Sequence, residues 1–177
     1  KLSDVLKEKD MLENTLIVFT SDHGDNLGDY GIRDKRFFYE QSVKVPLVMA
    51  GPEIEINKRL GGTICKALVS NTDLYPTLLD AAGCQNIHGR SQREGISLLE
   101  VANGIVNLRR EVYSELGTSM MVRDANWKLV YDPEQDGVQY LFNLRRDSDE
   151  LDNLAGVAGY SEVEKRLIEK LLSRLIR

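Results

Sequence analysis

A short apolar run that ends in a group of polar side chains most constrains the fold of this chain. Residues 16–19 are Leu, Ile, Val and Phe. An unbroken run of branched and aromatic residues predicts a strand buried on both faces, of the kind found in parallel sheets. Ser21, Asp22, His23 and Gly24 follow this run. Because ligands bind at the carboxyl ends of strands in open α/β sheets, we expect a binding site here.

Asp22 and His23 carry the chemistry expected of that site. A carboxylate supplies charge and oxygen, and a neutral imidazole supplies nitrogen, so the adjacent pair can bind one divalent cation. Gly24 allows the backbone to turn where a side chain would clash. The alternative interpretation is a strand that exits into a turn with a solvated aspartate, and the triplet alone does not separate the two.

A long loop separates this strand from a second apolar run at residues 45–50. It contains a glycine-punctuated segment, residues 28–31, and Lys35, which lies thirteen residues after Asp22. Long loops between buried strands are functional or disordered. The aromatic and charged composition of this loop favours an ordered, functional one.

In order and spacing, the chain resembles the second half of type I sulfatases of the alkaline phosphatase superfamily. The segments that carry the resemblance are residues 21–24, 27–31, 35, 38–40, 45–48, 71–83, 95–99, 141–144 and 147–154. Asp-His-Gly alone occurs across that superfamily, including its phosphatases and phosphodiesterases. The combination with Lys35 and residues 45–47 points more narrowly to sulfatases.

The resemblance implies a sulfuric ester hydrolase in which Asp22 and His23 are metal ligands and Lys35 contacts the sulfate and leaving-group oxygens. The metal in that family is usually calcium, held also by acidic residues of the N-terminal half. A histidine ligand leaves manganese or zinc open on chemical grounds, because calcium prefers oxygen. The family often has Gly before the lysine, where this chain has Asp34. A carboxylate there could pair with Lys35.

The family's nucleophile is a formylglycine made from the cysteine or serine of a C/S-x-P/A-x-R motif. Neither Cys65 nor Cys84 lies in such a motif, and we expect both to be small buried hydrophobes. Residues 1–14 already have a helical pattern, so we expect the chain to be a C-terminal portion without the nucleophile-bearing half. On that basis it should be inactive alone.

Composition limits the partners. The chain has 177 residues, 42% apolar and 29% charged, with a formal charge of −5 and a pI near 5.2. This balance argues against a nucleic-acid partner bound through phosphates, and no apolar run is long enough to span a membrane. The expected substrate is a small-molecule or carbohydrate sulfate ester. Self-association through the surface left by the missing half is a further expectation.

The predicted fold is an α/β arrangement over residues 1–110, the C-terminal part of a large catalytic domain with the metal-site loop. A small α+β subdomain follows over residues 111–177. In the first part, Thr72 is the expected N-cap of a helix that ends before Gly83.

The second part predicts an antiparallel meander followed by an amphipathic helix that covers one face of the sheet. A capping box of Ser161 and Glu164 should start that helix. The predicted strands cover residues 112–116, 120–123, 127–131 and 138–142.

Two other functions stay open from the residues alone. The same metal cradle serves phosphate and phosphonate esters, so a related ester hydrolase is the first alternative. A non-catalytic metal-binding or interaction module is the second. Asp25, Arg33 and His88 lie in loops, and no role is assigned to them.

Overall fold

A computed structural model describes residues 1–55, 62, 64–84, 95–102 and 109–176. These residues form two compact units. Unit 1 comprises Lys1–Asp22 and Pro46–Leu108, and unit 2 comprises His23–Val45 and Arg109–Arg177. The loop between the two apolar runs is therefore grouped with the C-terminal part of the chain. The division at residue 110 stays a prediction.

Unit 1 contains a two-stranded sheet and four helices. Its elements are α1 (Leu2–Glu8), β1 (Ile17–Thr20), β2 (Leu47–Ala50), α3 (Pro52–Glu55), α4 (Leu74–Ala81) and α5 (Leu98–Ala102), with 3₁₀ turns at Leu12–Asn14 and Asn71–Asp73. Strands β1 and β2 pair antiparallel, so that Phe19 lies opposite Val48.

The face of this sheet that carries Phe19 and Val48 is open. Phe19 is 62% exposed and Val48 is 59% exposed. The prediction of a strand buried on both faces is therefore wrong for this chain. An apolar run shows that both faces can be buried, but whether a covering layer exists depends on the other elements.

A buried polar cluster ties α4 to the segment before α5. Asp73 is fully buried, and its carboxylate accepts the N–H groups of Ser70 (2.7 Å) and Ile96 (2.9 Å). Thr77 accepts the N–H of Leu98 at 2.8 Å. A capping box formed by Ser70 and Asp73 starts the helical segment, so Thr72 is not its N-cap as predicted. A capping serine at position 70 accounts for the earlier start, since it leads directly into the 3₁₀ turn.

Unit 2 is built on a four-stranded antiparallel meander, as predicted. Its strands are β3 (Val112–Leu116), β4 (Ser119–Arg123), β5 (Trp127–Asp132) and β6 (Gly137–Asn143), in the order β3-β4-β5-β6. The helices are α2 (Glu40–Val43), between β1 and β2 in the chain, and α6 (Ser161–Leu175).

Both faces of this sheet are covered from within unit 2. On one face the C-terminal helix α6 packs against the sheet, as predicted, in a core made by Val122, Leu129, Leu141, Leu167 and Leu171. On the other face Phe38 packs against Met121 and Val130, with Val43 and Tyr140 beside it. Phe38 comes from the long loop, so hydrophobic packing fixes that loop to the sheet.

Helix α6 starts without the predicted capping box. Ser161 donates its hydroxyl to the carbonyl of Ala158, and Glu164 accepts the N–H of Gly156 at 2.7 Å. A 3₁₀ turn at Ala158–Tyr160 leads directly into the helix. The Glu164 side chain therefore reaches the preceding turn instead of the N-cap amide.

Two other expectations are wrong. The helix expected over residues 1–14 ends at Glu8, because Asp10 adopts a left-handed φ of 54°. Cys65 and Cys84 are exposed free thiols, since both lie in surface segments. Among the described residues, no helix is long and apolar enough to cross a membrane.

Candidate functional site

Asp22 follows β1 and is held through its backbone. The side-chain amide of Asn71 donates to the carbonyl oxygens of Ser21 (3.2 Å) and Asp22 (2.9 Å). The Ser21 hydroxyl also donates to the Asp22 carboxylate at 3.3 Å. Asn71 begins the 3₁₀ turn before α4, so this turn fixes the backbone at the predicted ligand.

His23 has a defined tautomer. Its Nδ1 lies 2.7 Å from the carbonyl oxygen of Gly24. Because a carbonyl oxygen only accepts, Nδ1 carries the proton and Nε2 has the lone pair. The N–H of Gly24 donates to the carbonyl of Ser42 at 2.8 Å. A Cβ at Gly24 would overlap the carbonyl oxygen of Gln41, which confirms that a side chain would clash here.

Lys35 lies against this histidine. Its Nζ donates to Nε2 of His23. The structure thus brings together two residues that are twelve positions apart in the chain. In this contact the Nε2 lone pair accepts the Lys35 hydrogen bond, so a cation can be coordinated by Nε2 only when the ammonium group moves to another partner such as an anion.

The backbone of Lys35 is held on both sides. Its N–H donates to Asp34 Oδ1 at 2.6 Å, and its carbonyl accepts the hydroxyl of the buried Ser42 at 3.2 Å. The other Asp34 oxygen pairs with Arg36 at 3.1 Å. The Lys35 N–H, together with Arg36, holds the pKa of Asp34 below its usual range. The Asp34 carboxylate thus binds the Lys35 amide and the Arg36 guanidinium.

Asp34 also has a left-handed backbone, with φ of 84°. Only glycine adopts this conformation without steric cost. The observation explains why glycine suits the position before the lysine, and why an aspartate there requires compensating hydrogen bonds.

The loop that leads to Lys35 is closed by Asn26. This residue is fully buried, and its amide Nδ2 donates to the Asp34 carbonyl at 2.6 Å. Within the loop, Tyr30 stacks on Tyr39 with ring centroids 4.2 Å apart and donates its hydroxyl to the Asp149 carbonyl. The loop is therefore anchored at its base and at its tip.

A buried ion cluster fixes the end of the same loop. Lys128 on β5 is fully buried, and its Nζ lies 2.8 Å from Glu40 Oε1 and 2.7 Å from Glu150 Oε1. It also donates to the carbonyl of Phe38. Two carboxylate oxygens and one carbonyl oxygen thus surround the ammonium group. Arg123 pairs with Glu40 at 3.1 Å.

The two carboxylates of this cluster have opposite pKa shifts. Burial alone would raise the pKa of Glu40, but Lys128 and Arg123 outweigh it and the net shift is downward. Burial raises the pKa of Glu150, and Lys128 only partly offsets it. The two cations thus favour the ionised form of Glu40, whereas burial opposes the ionised form of Glu150.

The predicted metal ligands can be compared with what a divalent cation requires. Within them, no group of three or more His, Cys, Asp or Glu side chains could hold a metal ion. Asp22 supplies a carboxylate and the next residue, His23, an imidazole with its Nε2 lone pair. Two such donors fit a divalent cation, but a complete site needs further ligands.

Sequence reasoning missed the residues that support the site. Asn26, Ser42, Asn71 and Lys128 gave no signal, since polar residues in loops and lysines in strands are solvated by default. Of the unassigned residues, Asp25 accepts the N–H of Leu27 at 2.7 Å and Arg33 is exposed. His88 lies outside the described residues.

Comparison with known proteins identifies relatives over most of the chain. A family described as N-sulphoglucosamine sulphohydrolase, C-terminal, matches residues 28–176. Choline-sulfatase of Rhizobium meliloti is 39% identical over 163 residues, which cover 88% of this chain and 30% of that protein. Arylsulfatase K of Canis lupus familiaris is 33% identical over 186 residues, which cover 95% of this chain and 32% of that protein.

Solved structures share the fold. A phosphonate monoester hydrolase from Silicibacter pomeroyi superposes with a TM-score of 0.85 at 27% identity, over 99% of this chain and 37% of that chain. The present chain thus spans about a third of the length of the proteins it matches.

Proposed function

The chain belongs to the sulfatase family, and from that premise we propose that it is the C-terminal part of a sulfuric ester hydrolase. The predicted α/β class, with an antiparallel sheet and a C-terminal helix, agrees with this membership. The observation that carries the proposal is the contact between His23 Nε2 and Lys35 Nζ. The proposed substrate is a small-molecule sulfate ester, such as the choline and aryl esters named for the relatives.

In this proposal Asp22 and His23 are ligands of a divalent cation, for which calcium is our first choice. When bound, such a cation neutralises charge on the sulfate oxygens and on the nucleophile. The Nδ1–H bond to the Gly24 carbonyl orients the ring, so that Nε2 would be the coordinating nitrogen of the neutral imidazole. Asn71 holds the Ser21–Asp22 backbone, so the carboxylate starts from a fixed position.

Lys35 has the anion-binding role. An ammonium group is a compact positive charge that stabilises the sulfate and the departing alkoxide oxygen. Its backbone is fixed by Asp34 and Ser42, which reduces the freedom lost when it engages an anion.

A sulfate titration tests the role of Lys35. Inorganic sulfate should shift the NMR signals of Lys35 in the wild-type chain, and Lys35→Ala should weaken sulfate binding at least about tenfold if this is the main charge contact. Lys44→Ala is the matched control, because it removes another lysine of unit 2. Equal loss in both variants would show a non-specific charge effect and would refute the assignment.

The metal role has a separate test. Since the proposal assigns two ligands to this chain, calorimetry should find weak or no calcium binding. Sub-micromolar calcium binding that survives the double variant Asp22→Ala/His23→Ala would disprove the ligand assignment.

We further propose that this chain alone does not turn over sulfate esters. The formylglycine nucleophile and the acidic ligands are expected in the other half of the parent protein, and loss of a nucleophile costs orders of magnitude in rate. The chain incubated with an aryl sulfate and calcium should show no hydrolysis. Turnover that Lys35→Ala abolishes would overturn this inactivity.

A phosphonate or phosphate ester hydrolase is the second candidate. The similarity to a phosphonate monoester hydrolase structure favours it, and both anions can use the same cation and lysine. The sequence of the parent upstream of Lys1 discriminates between the two. A C/S-x-P/A-x-R motif there favours a formylglycine enzyme, and a threonine or serine nucleophile favours the alternative.

The open face of the two-stranded sheet supports a proposal about assembly. Phe19 and Val48 are large apolar side chains exposed side by side, and such surface favours association in water. We expect the chain to self-associate through this face. A strictly monomeric solution by light scattering would count against this.

A further inference from the structure

We propose that Asn26 is a positioning residue that holds Lys35 in place by closing the loop between them. The inference rests on the proposed role of Lys35 in anion binding. Asn26 lies outside the proposed metal and anion contacts, and the hydrogen bonds that close the loop all lie within unit 2.

The closure is made by one buried side chain. Asn26 is fully buried, and its Nδ2 donates to the Asp34 carbonyl at 2.6 Å, while its backbone N–H points to the same oxygen at 3.4 Å. The next residue is Lys35, whose N–H is bound by the Asp34 carboxylate. The peptide that enters Lys35 is therefore fixed at its carbonyl by Asn26 and near its amide by Asp34.

The loop closed by Asn26 contains residues in unfavourable backbone conformations. It therefore needs the Asn26 hydrogen bond to keep its shape. Five of its residues have positive φ, namely Leu27 (50°), Gly28 (105°), Tyr30 (56°), Gly31 (71°) and Asp34 (84°). Three of these are not glycine, and each such residue is disfavoured in the left-handed region. Without the Asn26 bond, these residues can relax and carry Lys35 with them.

The side-chain oxygen of Asn26 indicates that the Nδ2 donor is the atom that holds the loop. Among the described residues, its Oδ1 is buried with no hydrogen-bond partner. A buried unsatisfied acceptor is unfavourable. An amide is therefore retained here for its Nδ2 bond to Asp34, and a side chain that only filled space would avoid the penalty.

Two variants of the full chain test the inference. Asn26→Ala removes the side chain, and Asn26→Leu removes the donor at similar volume without adding a charge. Leu27→Ala is the control, because Leu27 is the next residue, also uncharged, and 86% exposed. Fluorescence of Trp127, the only tryptophan, reports whether unit 2 is folded in each variant. If Asn26→Ala does not fold, Asn26→Leu decides.

The first readout is amide hydrogen exchange. The Gly28 N–H, bound to the Ile32 carbonyl at 2.9 Å, and the Lys35 N–H should exchange about three- to tenfold faster in both Asn26 variants. The Leu141 N–H in β6 should not change. Unchanged exchange at Gly28 and Lys35 would overturn the inference.

The second readout separates positioning from loop stability. The affinity for inorganic sulfate, read from the Lys35 signals, should fall about three- to tenfold in both variants and stay at the wild-type value in Leu27→Ala. Faster exchange with unchanged sulfate affinity would mean that Asn26 closes the loop without positioning Lys35, and the inference would be wrong.

If Lys35 does not bind anions at all, the sulfate titration gives a different result. If the wild-type Lys35 signals do not respond to sulfate, the anion role itself fails. Positioning is then decided by the NMR relaxation of the Lys35 Cε group. Increased Cε mobility in the two Asn26 variants alone supports the inference, and unchanged mobility refutes it.

Discussion

The two sheets of this chain differ in how their faces are covered. The four-stranded sheet of unit 2 packs against α6 on one face and against Phe38 on the other. The two-stranded sheet of unit 1 leaves Phe19 and Val48 exposed on one face. The strands of the smaller sheet are the more apolar ones, so strand composition does not explain the difference.

What differs is the supply of covering elements. The site loop packs Phe38 onto the larger sheet and ties its backbone to Lys128, so one segment both covers that sheet and presents His23 and Lys35. Sites built on rigid supports hold their geometry better than sites on free loops. The larger sheet is thus the scaffold for the anion-binding side of the proposed site, and the smaller sheet carries the exposed apolar pair Phe19 and Val48.

Removal of Lys128 should break the scaffold and have the largest effect. Lys128→Met leaves the Glu40 and Glu150 carboxylates without their shared cation in a buried place, which typically lowers the free energy of unfolding by about 3–5 kcal/mol. Urea unfolding followed by Trp127 fluorescence measures this change. The control is Lys170→Met, which removes the half-exposed pair with Glu111 and should cost about 0–1 kcal/mol. Equal effects would mean that the buried cluster does not stabilise unit 2.

The second largest loss of stability is expected on the face of the four-stranded sheet that α6 covers. Leu171 is buried in the core beneath α6, so Leu171→Ala should lower the free energy of unfolding by about 2–5 kcal/mol. Leu172→Ala, one position along the helix and 51% exposed, should change it by less than about 1 kcal/mol. A neutral Leu171→Ala would show that α6 is not docked in solution.

The meander and its helix were predictable because their information is local. Short strands with turn clusters between them, and a repeat of leucines at helical spacing, each specify an element and the face it buries. The glycine that follows the end of α4 was equally predictable from the sequence, and the φ of 68° at Gly83 confirms it. The apolar run of β1 by itself predicted burial on both faces, and the exposed Phe19 agrees instead with the expectation of an apolar surface left by a missing half.

Part of the candidate site could be found from motifs and part could not. The family resemblance predicted that Asp22, His23 and Lys35 belong to one site, and the structure brings His23 and Lys35 into contact. The buried Asn26 and Lys128 were missed, because their roles depend on distant partners at Asp34, Glu40 and Glu150. The roles of Asp22, His23 and Lys35 in metal and anion binding stay predictions until the binding experiments are done.

Protonation of Glu40 at low pH should lower the free energy of unfolding of unit 2. Since Lys128 and Arg123 hold the folded-state pKa of Glu40 below its ordinary 4.5, its contribution is present above that value and is lost as pH falls through the lowered pKa. Glu150 acts in the opposite sense, because burial raises its pKa, and its contribution is lost as pH rises through the raised pKa.

Glu40→Gln should therefore flatten the acid limb of the stability curve. Between about pH 5 and pH 3 the free energy of unfolding should fall less steeply in this variant than in the wild type. The slopes are compared, and not the absolute values, because the variant also alters the charge around Lys128. Parallel slopes would show that Glu40 does not titrate with folding.

The exposed face of the smaller sheet should give the smallest effect on stability and a large one on association. Phe19 is mostly exposed, so Phe19→Ser should change the free energy of unfolding by about 0.5 kcal/mol or less, while it removes apolar surface that favours self-association. Leu2→Ser is the control, since Leu2 is 64% exposed on α1, outside the sheet. Light scattering of the two variants at equal concentration shows which surface drives association.

A loss of several kcal/mol in the free energy of unfolding on Phe19→Ser would mean that Phe19 is covered within the chain in solution, and the contrast between the two sheets would then fail. Unchanged association in Phe19→Ser, with reduced association in Leu2→Ser, would instead move the contact surface to α1.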